Sequence, residues 1–320
     1  MPGPPDLSVA IVSYNTRELL SRCLASLRDA VGSCSYEVIV ADNASSDGSV
    51  AMLCADWPNV AVIEMGGNTG FGRANNAAMA QASGRYILLL NSDTEAFPGS
   101  IEGLIHFMDE HPEAGVAAPK LLNADLTDQG TARAFPTAAA VLFGRKALLT
   151  KLFPGNPWAR RYMLQNRQSD TEPFPVDWVS GACMMVPRTV IDEVGSLDER
   201  FFMHWEDADW CRRIGQAGYC VYCVPTARVV HLEGQSERSF GGLARPRRVG
   251  RPAKLVWIFH QSAYYYFTKH HARQRWNPIR LIAGVGLMSR AAAIIVANAV
   301  ANRLRSHLAA PISRLHQQPR

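Results

Sequence analysis

The sequence has few of the features that mark a secreted protein. Its seven cysteines are an odd number in 320 residues, which does not suit a disulfide framework and favours a reducing compartment. The opening residues, MPGPPDLSVAIVSYN, contain no basic segment followed by an apolar run, so no secretory signal is expected there. Charged residues make up 19% and hydrophobic residues 48%, without internal repeats or low-complexity tracts. We therefore expect a globular protein of the cytoplasm.

Long apolar runs are also scarce, and one segment needs separate consideration. Leu281–Val300 has the length of a membrane span, but it carries Arg290 at its middle. A central arginine disfavours a simple span and favours a helix that packs on protein or lies at a membrane surface. The preceding residues 255–276 mix Trp, Tyr and Phe with Lys and Arg, which suits a lipid headgroup region or an ordinary packed helical pair.

Positive charge is concentrated in the same part of the chain. The net charge is +5, and much of the positive excess falls after about residue 238. We expect residues 241–320 to form a basic, aromatic, helical region whose candidate partner is an anionic membrane surface rather than nucleic acid. The protein would then be peripheral at the inner face of the cell membrane. The sequence specifies no oligomeric state.

The first 120 residues alternate short apolar strands with amphipathic helices, a pattern typical of a parallel sheet with crossover helices. The first helix is expected to begin near Asn15, which can form a capping pair with Glu18. Further helices are expected after Asp47, from Phe71 to Gly84, and from about Pro98 to His111. The four predicted strands are Leu7–Ser13, Glu37–Ala41, Val60–Glu64 and Tyr86–Leu90.

Regularity weakens between about Thr127 and Pro175, where FP, FPGNPW and EPFP clusters predict an irregular segment. Regular elements are expected again beyond it. They are strands at Val176–Pro187, Val221–Val224 and Val229–Val230 and helices at Thr189–Val194 and Glu206–Gly215.

Polar loops follow all four predicted strands of the first 120 residues. Ligands of an open parallel sheet bind at the carboxyl ends of its strands, so these loops are expected to line one crevice that suits an anionic ligand. For any single loop the alternative is an ordinary turn or helix cap. No Gly-x-Gly-x-x-Gly follows the first strand, which disfavours a nicotinamide-dependent dehydrogenase. The loops are Ser13-Tyr14-Asn15, residues 42–48, residues 66–72 and Asn91-Ser92-Asp93.

Two positions have the character of metal ligands. Asp93 follows the apolar strand YILLL, where a carboxylate can hold Mg²⁺ or Mn²⁺ on a diphosphate, although it can also cap the helix near Pro98. His231 ends the strand-like segment VVH, either as a ligand or as a buried histidine whose hydrogen bonds are satisfied within the protein.

An acidic cluster at Glu206, Asp207 and Asp209 places three carboxylates within four positions. Repulsion among them requires relief by a cation, an arginine or a proton. Glu206 or Asp209 can cap the helix that begins there, which leaves Asp207 as the candidate general base.

Together these segments resemble the inverting family 2 glycosyltransferases of the GT-A fold, in particular the bacterial rhamnosyltransferase-like branch. The resemblance covers about residues 7–236 and is carried, in the family's order, by VSYN, ADNASSDGS, GNTGFGRANN, GRYILLLNSDT, VSGACMMVPR, GSLDERFFMHWEDADWCRRIGQAGY and VVHLEG. It implies an α/β protein with a Rossmann-like, mostly parallel sheet flanked by helices, and a C-terminal helical extension. The implied catalytic domain is 1–240, with a nucleotide-binding half of about 1–120 and an acceptor half of about 121–240.

The resemblance also implies an activity and residue roles. A sugar would move from a nucleotide-diphosphate donor to a hydroxyl of a lipid-linked or cell-envelope glycan. Asp207 matches the catalytic base, and Asp93 and His231 match the ligands of Mg²⁺ or Mn²⁺. Asn91 replaces the first Asp of the family's Asp-x-Asp motif, which leaves Asp93 as the carboxylate ligand. The remaining implied residues are Ser13, Tyr14, Asn15, Asp42, Asn68, Arg73, Asn91 and Ser92 for the donor, and Trp205, Glu206 and Asp209 for acceptor binding or support.

The sequence leaves three alternatives open. The same scaffold can use UDP-galactofuranose, UDP-GlcNAc or a GDP-sugar, and the preference for dTDP-L-rhamnose depends on the branch resembled. A glycan- or nucleotide-binding protein without turnover would have no need of Asp93, Asp207 and His231 together. A sugar-nucleotide pyrophosphorylase would be expected to carry a Gly- and Arg-rich loop after the first strand, which this sequence lacks.

Overall fold

A computed structural model of the chain describes residues 3–135, 171–232 and 250–309. Most of the segment that the sequence predicts to be irregular, and the basic residues between 238 and 249, lie outside these ranges. The chain divides into two compact units. The first comprises the residues up to Phe202 and Glu206–Ser239, and the second Met203–Trp205 and the residues from Phe240 onward.

The first unit begins with alternating strands and helices. They are β1 (Leu7–Ser13), α1 (Arg17–Val31), β2 (Tyr36–Asp42), α2 (Ser49–Asp56), β3 (Val60–Glu64), α3 (Phe71–Gln81) and β4 (Tyr86–Asn91). The four strands pair in the order β3-β2-β1-β4, and every pair is parallel. β1 and β4 are buried along almost their whole length, because helices flank the sheet. The predicted α/β class and the parallel arrangement are confirmed.

The second half of this unit extends the same sheet with mixed strand directions. Its elements are β5 (Thr94–Ala96), α4 (Ser100–Glu110), β6 (Ala114–Leu122), β7 (Ala132–Arg133), β8 (Phe174–Val176), β9 (Trp178–Val179), β10 (Cys183–Pro187), α5 (Arg188–Val194), α6 (Glu206–Gln216) and β11 (Cys220–His231). The order continues as β4-β10-β6-β11-β5, with β8 also paired to β11 and a separate β7-β9 ribbon. β10 runs antiparallel to both β4 and β6, and β11 runs parallel to β6.

Several local predictions were wrong. The helix α1 has Thr16 at its N-cap, and Asn15 instead accepts a hydrogen bond from Ser46, so the Asn15–Glu18 capping pair does not form. The predicted strand Val176–Pro187 is interrupted at Asp177 and at residues 180–182, and its parts belong to β8, β9 and β10. The two predicted strands near residues 221–230 are one strand, β11, with a register shift between Val224 and Arg228. Pro225 lies in this shift, and its missing N–H is compatible with an interrupted ladder.

The sequence patterns also fail to predict β5 and β6. β6 reads AGVAAPKLL, a composition poor in β-branched residues. Small residues are required there because helix α6 packs closely on it. A Cβ added to Gly115 would lie 2.5 Å from Cγ2 of Ile214. Tertiary packing therefore outweighs local strand propensity in this segment.

The second unit consists of two long helices and a short segment packed on them. The helices are α7 (Ala253–His270) and α8 (Pro278–Ala309). The indole of Trp205 packs against Phe259 and Tyr266 of α7, at centroid distances of 5.8 and 5.2 Å. Among the described helices, the span Pro278–Arg305 of α8 is long and apolar enough to cross a membrane by length and composition.

Candidate active site

The carboxyl ends of β1 and β4 are tied together by buried hydroxyl groups. Ser13 at the end of β1 lies 3.2 Å from the Thr16 hydroxyl, which donates to Ser92 Oγ at 2.9 Å. All three side chains are buried. Two loops that are far apart in the sequence are thus held at one edge of the sheet, as the strand order requires.

The loop after β2 presents a buried carboxylate. Oδ2 of Asp42 accepts a hydrogen bond from Ser45 N at 2.8 Å. Oδ1 is buried and has no hydrogen-bond partner among the residues that the structure describes. The facing loop is braced by Asn15, whose Oδ1 accepts from Ser46 N at 2.7 Å with the Asn15 backbone in a left-handed conformation. A buried acceptor without a donor is costly, so Asp42 is suited to receive a hydroxyl or N–H group of a ligand.

Asn43 organises the loop before α3 and was not predicted as a site residue. Its Nδ2 donates to Gly70 O at 3.1 Å, and its Oδ1 accepts from the N–H of Thr69 at 3.2 Å. Asn68 in the same loop accepts from Gly70 N through Oδ1, while its Nδ2 is buried without a partner within residues 3–135, 171–232 and 250–309. Gly70 is required because a Cβ there would lie 2.4 Å from the carbonyl oxygen of Phe202.

Asp93 and His231 meet where β5 pairs with the end of β11. Thr94 is the register partner of His231, and Leu232 N donates to Asp93 O at 2.9 Å. As a result, Nε2 of His231 lies 3.3 Å from Oδ1 of Asp93. Nδ2 of Asn91 lies 3.3 Å from the same nitrogen. Both Asp93 and His231 are buried.

Gln129 sets the tautomer of this histidine. Its Nε2 donates to His231 O at 2.9 Å and to Asn123 Oδ1 at 3.0 Å, which uses both amide hydrogens. Its Oε1 therefore faces Nδ1 of His231, at 2.7 Å, and Nδ1 must be the donor. This role could not be predicted from the sequence, since Gln129 stands in a segment with weak periodicity. The structure shows that Gln129 is only 5% exposed, and the burial of so polar a side chain is what indicates its role.

This donor set fits a divalent cation. With the proton on Nδ1, the lone pair of Nε2 is available 3.3 Å from Oδ1 of Asp93, and an imidazole nitrogen beside a carboxylate oxygen is a pair of ligands that divalent cations bind. Within the described ranges no group of three or more His, Cys, Asp or Glu side chains could hold a metal ion. Asp93 and His231 would thus supply two ligands and leave the other positions to diphosphate oxygens and water, as is usual for Mg²⁺.

Asp207 reaches the same edge of the sheet through the turn that precedes β10. Its Oδ2 accepts a hydrogen bond from Gly181 N at 3.1 Å, and its Oδ1 accepts from Ala208 N at 2.8 Å. Ala182, next in that turn, accepts from the N–H of Asn91 at 2.9 Å. The Asp207 side chain is partly exposed. The turn at Gly181 and Ala182 is thus hydrogen-bonded both to the Asp207 carboxylate and to Asn91 at the end of β4.

The other two acids of the cluster are stabilised in different ways. Asp209 is fully buried and forms an ion pair with Arg213 Nε at 3.0 Å. Arg213 also donates to the carbonyl of Ser196 at 2.7 Å, which fixes α6 against the segment after α5. Burial raises the pKa of Glu206 well above its ordinary value, and the charges of Asp207 and Asp209 raise it further. The raised pKa of Glu206 favours its neutral form and Arg213 pairs with Asp209, and both effects reduce the repulsion within the cluster. Asp207 is the acid of the three that is partly exposed.

Three further predicted site residues have these surroundings. Arg73 is in the first turn of α3, largely exposed, with its Nε 3.8 Å from Glu199 Oε2. Tyr14 is partly exposed between β1 and α1. Trp205 belongs to the second compact unit, where its backbone is left-handed and its ring packs on α7. The other predicted donor and metal residues stand at or directly after the carboxyl ends of β1 to β4 and of β11.

The sequence matches a known protein family and is similar to characterised relatives. A family model described as "Glycosyl transferase family 2" matches residues 8–195. The chain is 33% identical over 288 residues to an N-acetylglucosaminyl-diphospho-decaprenol L-rhamnosyltransferase of Mycobacterium tuberculosis, over 86% of this chain and 88% of that protein. It is 26% identical to the rhamnosyltransferase WbbL of Escherichia coli, over 72% of this chain and 85% of that protein.

Solved structures show the same architecture at low sequence identity. A mannosyltransferase of Pyrobaculum calidifontis, in complex with GDP-Man and Mn²⁺, superposes with a TM-score of 0.54 at 16% identity, over 94% of this chain and 82% of that chain. GalNAc-T7, solved with UDP, GalNAc and Mn²⁺, gives a TM-score of 0.52 at 17% identity, over 73% and 45%. At these identities the likeness concerns the fold alone.

Proposed function

The chain belongs to glycosyl transferase family 2, and from that premise we propose that it transfers L-rhamnose from dTDP-L-rhamnose, with inversion, to a hydroxyl of a lipid-linked glycan. The glycosyltransferase activity and the family resemblance predicted from the sequence are confirmed by the family match and by the rhamnosyltransferase relatives. Those relatives support the choice of sugar, and the mycobacterial relative, which acts on N-acetylglucosaminyl-diphospho-decaprenol, supports a polyprenyl-linked acceptor.

One observation carries the proposal: Asp93 and His231 face each other across 3.3 Å at the edge of the sheet to which the Asp207 turn is hydrogen-bonded. A bound Mg²⁺ or Mn²⁺ at Asp93 and His231 would neutralise charge on the departing diphosphate. Asp207 takes the proton of the acceptor hydroxyl as that oxygen attacks the anomeric carbon. The hydrogen bonds donated by the N–H groups of Gly181 and Ala208 hold its carboxylate in position.

The first half of the unit would bind the nucleotide. Asp42 offers its buried Oδ1 to the base or ribose, and the loops at Ser13, Asn15 and Asn68 surround the nucleotide. Arg73 stands at the start of α3 and would contact the donor. In the structure its Nε lies 3.8 Å from Oε2 of Glu199. We assign residues of about 1–120 to donor binding and 121–240 to acceptor binding within a catalytic domain of 1–240.

The site of action would be the cytoplasmic face of a membrane, because a polyprenyl-linked acceptor is held in the bilayer. The basic, aromatic region 241–320 supports a peripheral association with anionic lipids.

The proposal is tested by measuring transfer from a panel of nucleotide-sugars to a short-chain GlcNAc-diphospho-lipid, with Mn²⁺ and with excess EDTA. We expect dTDP-L-rhamnose to be the preferred donor and chelation to abolish transfer. Full transfer in EDTA would remove the metal role of Asp93 and His231, and preference for a UDP- or GDP-sugar would replace rhamnose as the donor. Binding of a donor without transfer or donor hydrolysis under any condition would leave a protein that only binds nucleotide-sugars.

A further inference from the structure

Helix α8 presents a long apolar face. Its largest side chains there are Leu281, Ile282, Val285, Val296 and Val300, each more than half exposed in the part of the chain that the structure describes. The exposed positions between 281 and 300 carry no charge, and Ser289 is the polar one among them. At about 1.5 Å per residue the face is about 29 Å long. An apolar surface of this length marks a contact with a partner or a membrane.

Arg290 does not interrupt this face. It is partly buried, next to the buried Leu287 and Ala291 on the side of α8 that packs on α7. The pKa of His260 on α7 is lowered mainly by burial, and also by the positive charge of Arg290, which places that charge near α7. The central arginine is thus turned away from the exposed face, which is uncharged along its length, and a helix lying at a membrane surface is one of the two arrangements that the sequence favours.

The register of α7 on α8 decides how α8 can meet a bilayer. A Cβ on Gly284 would lie 3.2 Å from Cε2 of Tyr264, and near the other end Nδ2 of Asn298 donates to Arg251 O at 3.3 Å. α7 therefore lies alongside most of α8, and it carries the exposed Lys254 and Gln261. A crossing α8 would take these side chains into the hydrocarbon region, which is unfavourable. The helix can contact lipid along its length only by lying flat.

The charges around the face identify the lipid. No Asp or Glu follows Glu237 in the sequence, whereas Lys and Arg continue to the end of the chain. Exposed arginines flank the face at both ends, at residues 273 and 275 and at residues 303 and 305. Trp276, at 92% exposure, stands just before α8. Arginines and an exposed indole both bind favourably in an anionic headgroup layer.

We infer that α8 docks in the plane of an anionic bilayer, with Leu281, Val285, Val296 and Val300 inserted below the headgroups. The inference deepens the membrane association in the proposed function and rests on it for the location of the acceptor. An in-plane amphipathic helix buries its apolar face by roughly 5–10 Å, so the protein would be held at the surface without crossing it.

The first experiment measures co-sedimentation of the full chain with vesicles of phosphatidylglycerol and phosphatidylcholine, and with phosphatidylcholine alone. We expect binding that requires phosphatidylglycerol and that falls at least about tenfold in the double variant Leu281→Glu/Val296→Glu. The matched control is Tyr36→Glu/Leu126→Glu, which adds the same charge at exposed apolar residues of the first unit. Equal loss in both variants, or no vesicle binding by the wild type, would overturn the inference.

A second experiment reports depth. Tryptophan is introduced at the middle of the face as Ala292→Trp, and quenching by lipids brominated near the headgroup is compared with quenching by lipids brominated near the chain ends. Stronger quenching by the shallow bromines is expected, and stronger quenching by the deep ones would mean that α8 crosses the bilayer. Thermal unfolding checks that each variant is folded. Transfer to a water-soluble acceptor is measured separately, so that loss of docking and failure of the proposed activity are distinguished.

Discussion

Oε1 of Gln129 accepts a hydrogen bond from Nδ1 of His231 at 2.7 Å, across 102 positions of sequence. The contact fixes the imidazole with its Nε2 lone pair toward Asp93, which is the form that binds a metal ion. The two hydrogen bonds that the Gln129 amide donates determine the orientation of its side chain.

Replacing Gln129 by Leu should weaken Mn²⁺ binding by roughly 10- to 100-fold, because the histidine loses the acceptor that orients it. Calorimetry with Mn²⁺ and dTDP measures this effect. The ¹⁵N spectrum of His231 in the metal-free protein should change at the same time from the Nδ1–H tautomer to a mixture.

The matched control is Gln261→Leu, at an exposed glutamine of α7. An unchanged His231 spectrum in the Gln129 variant would show that the amide does not set the tautomer, whatever the metal affinity.

Asp207→Asn should lower kcat by roughly 10²- to 10⁴-fold, because the amide cannot take the acceptor proton. The asparagine oxygen can still accept the hydrogen bond from Ala208 or Gly181, so the side chain should stay in place. The affinity for dTDP should therefore stay near that of the wild type. Steady-state transfer and dTDP calorimetry measure the two quantities. Asp125→Asn, at an exposed turn, serves as the control, and near-normal turnover in Asp207→Asn would exclude this side chain as the base.

Asp42→Asn should reduce affinity for dTDP by about tenfold or more, since a hydrogen bond to a charged group contributes roughly 1.5–3 kcal/mol. The buried Oδ1, which lacks a partner in the described ranges, is the atom expected to receive that bond. Calorimetry with dTDP alone is the measurement, and Glu110→Gln on the exposed end of α4 is the control. An unchanged dissociation constant would place the nucleotide elsewhere.

Glu206→Gln should change the pH dependence of stability. Burial, reinforced by Asp207 and Asp209, raises the pKa of Glu206 in the folded protein. Above the unfolded pKa of about 4.3 the unfolded chain releases this proton while the folded protein keeps it, so wild-type stability falls as the pH rises toward the folded pKa. The glutamine of the variant does not titrate, so its stability does not fall with pH for this reason.

The expected result is therefore that the free energy of unfolding of Glu206→Gln, relative to wild type, is higher at pH 8 than at pH 4. Urea unfolding at both pH values gives the comparison. A constant difference between the two proteins would mean that Glu206 titrates alike in the folded and unfolded chains.

The parallel half of the sheet and its polar loops could be predicted because they depend on neighbours along the chain. The run YILLL is buried whichever strand it pairs with, and Asn91-Ser92-Asp93 must then stand at the strand's end. β6 could not be predicted, since Gly115 and its alanines are selected by the close approach of Ile214, nearly 100 positions away.

The sequence by itself determined the α/β class, the family, and the positions of Asp93, Asp207 and His231 along the chain. Only the tertiary structure decided what surrounds them: that burial raises the pKa of Glu206, that Arg213 pairs with Asp209, and that Gln129 accepts a hydrogen bond from His231. It also decided which side of α8 carries Arg290. The reason is physical, since periodicity reports which residues leave water, whereas partners, tautomers and protonation depend on distances that only folding creates.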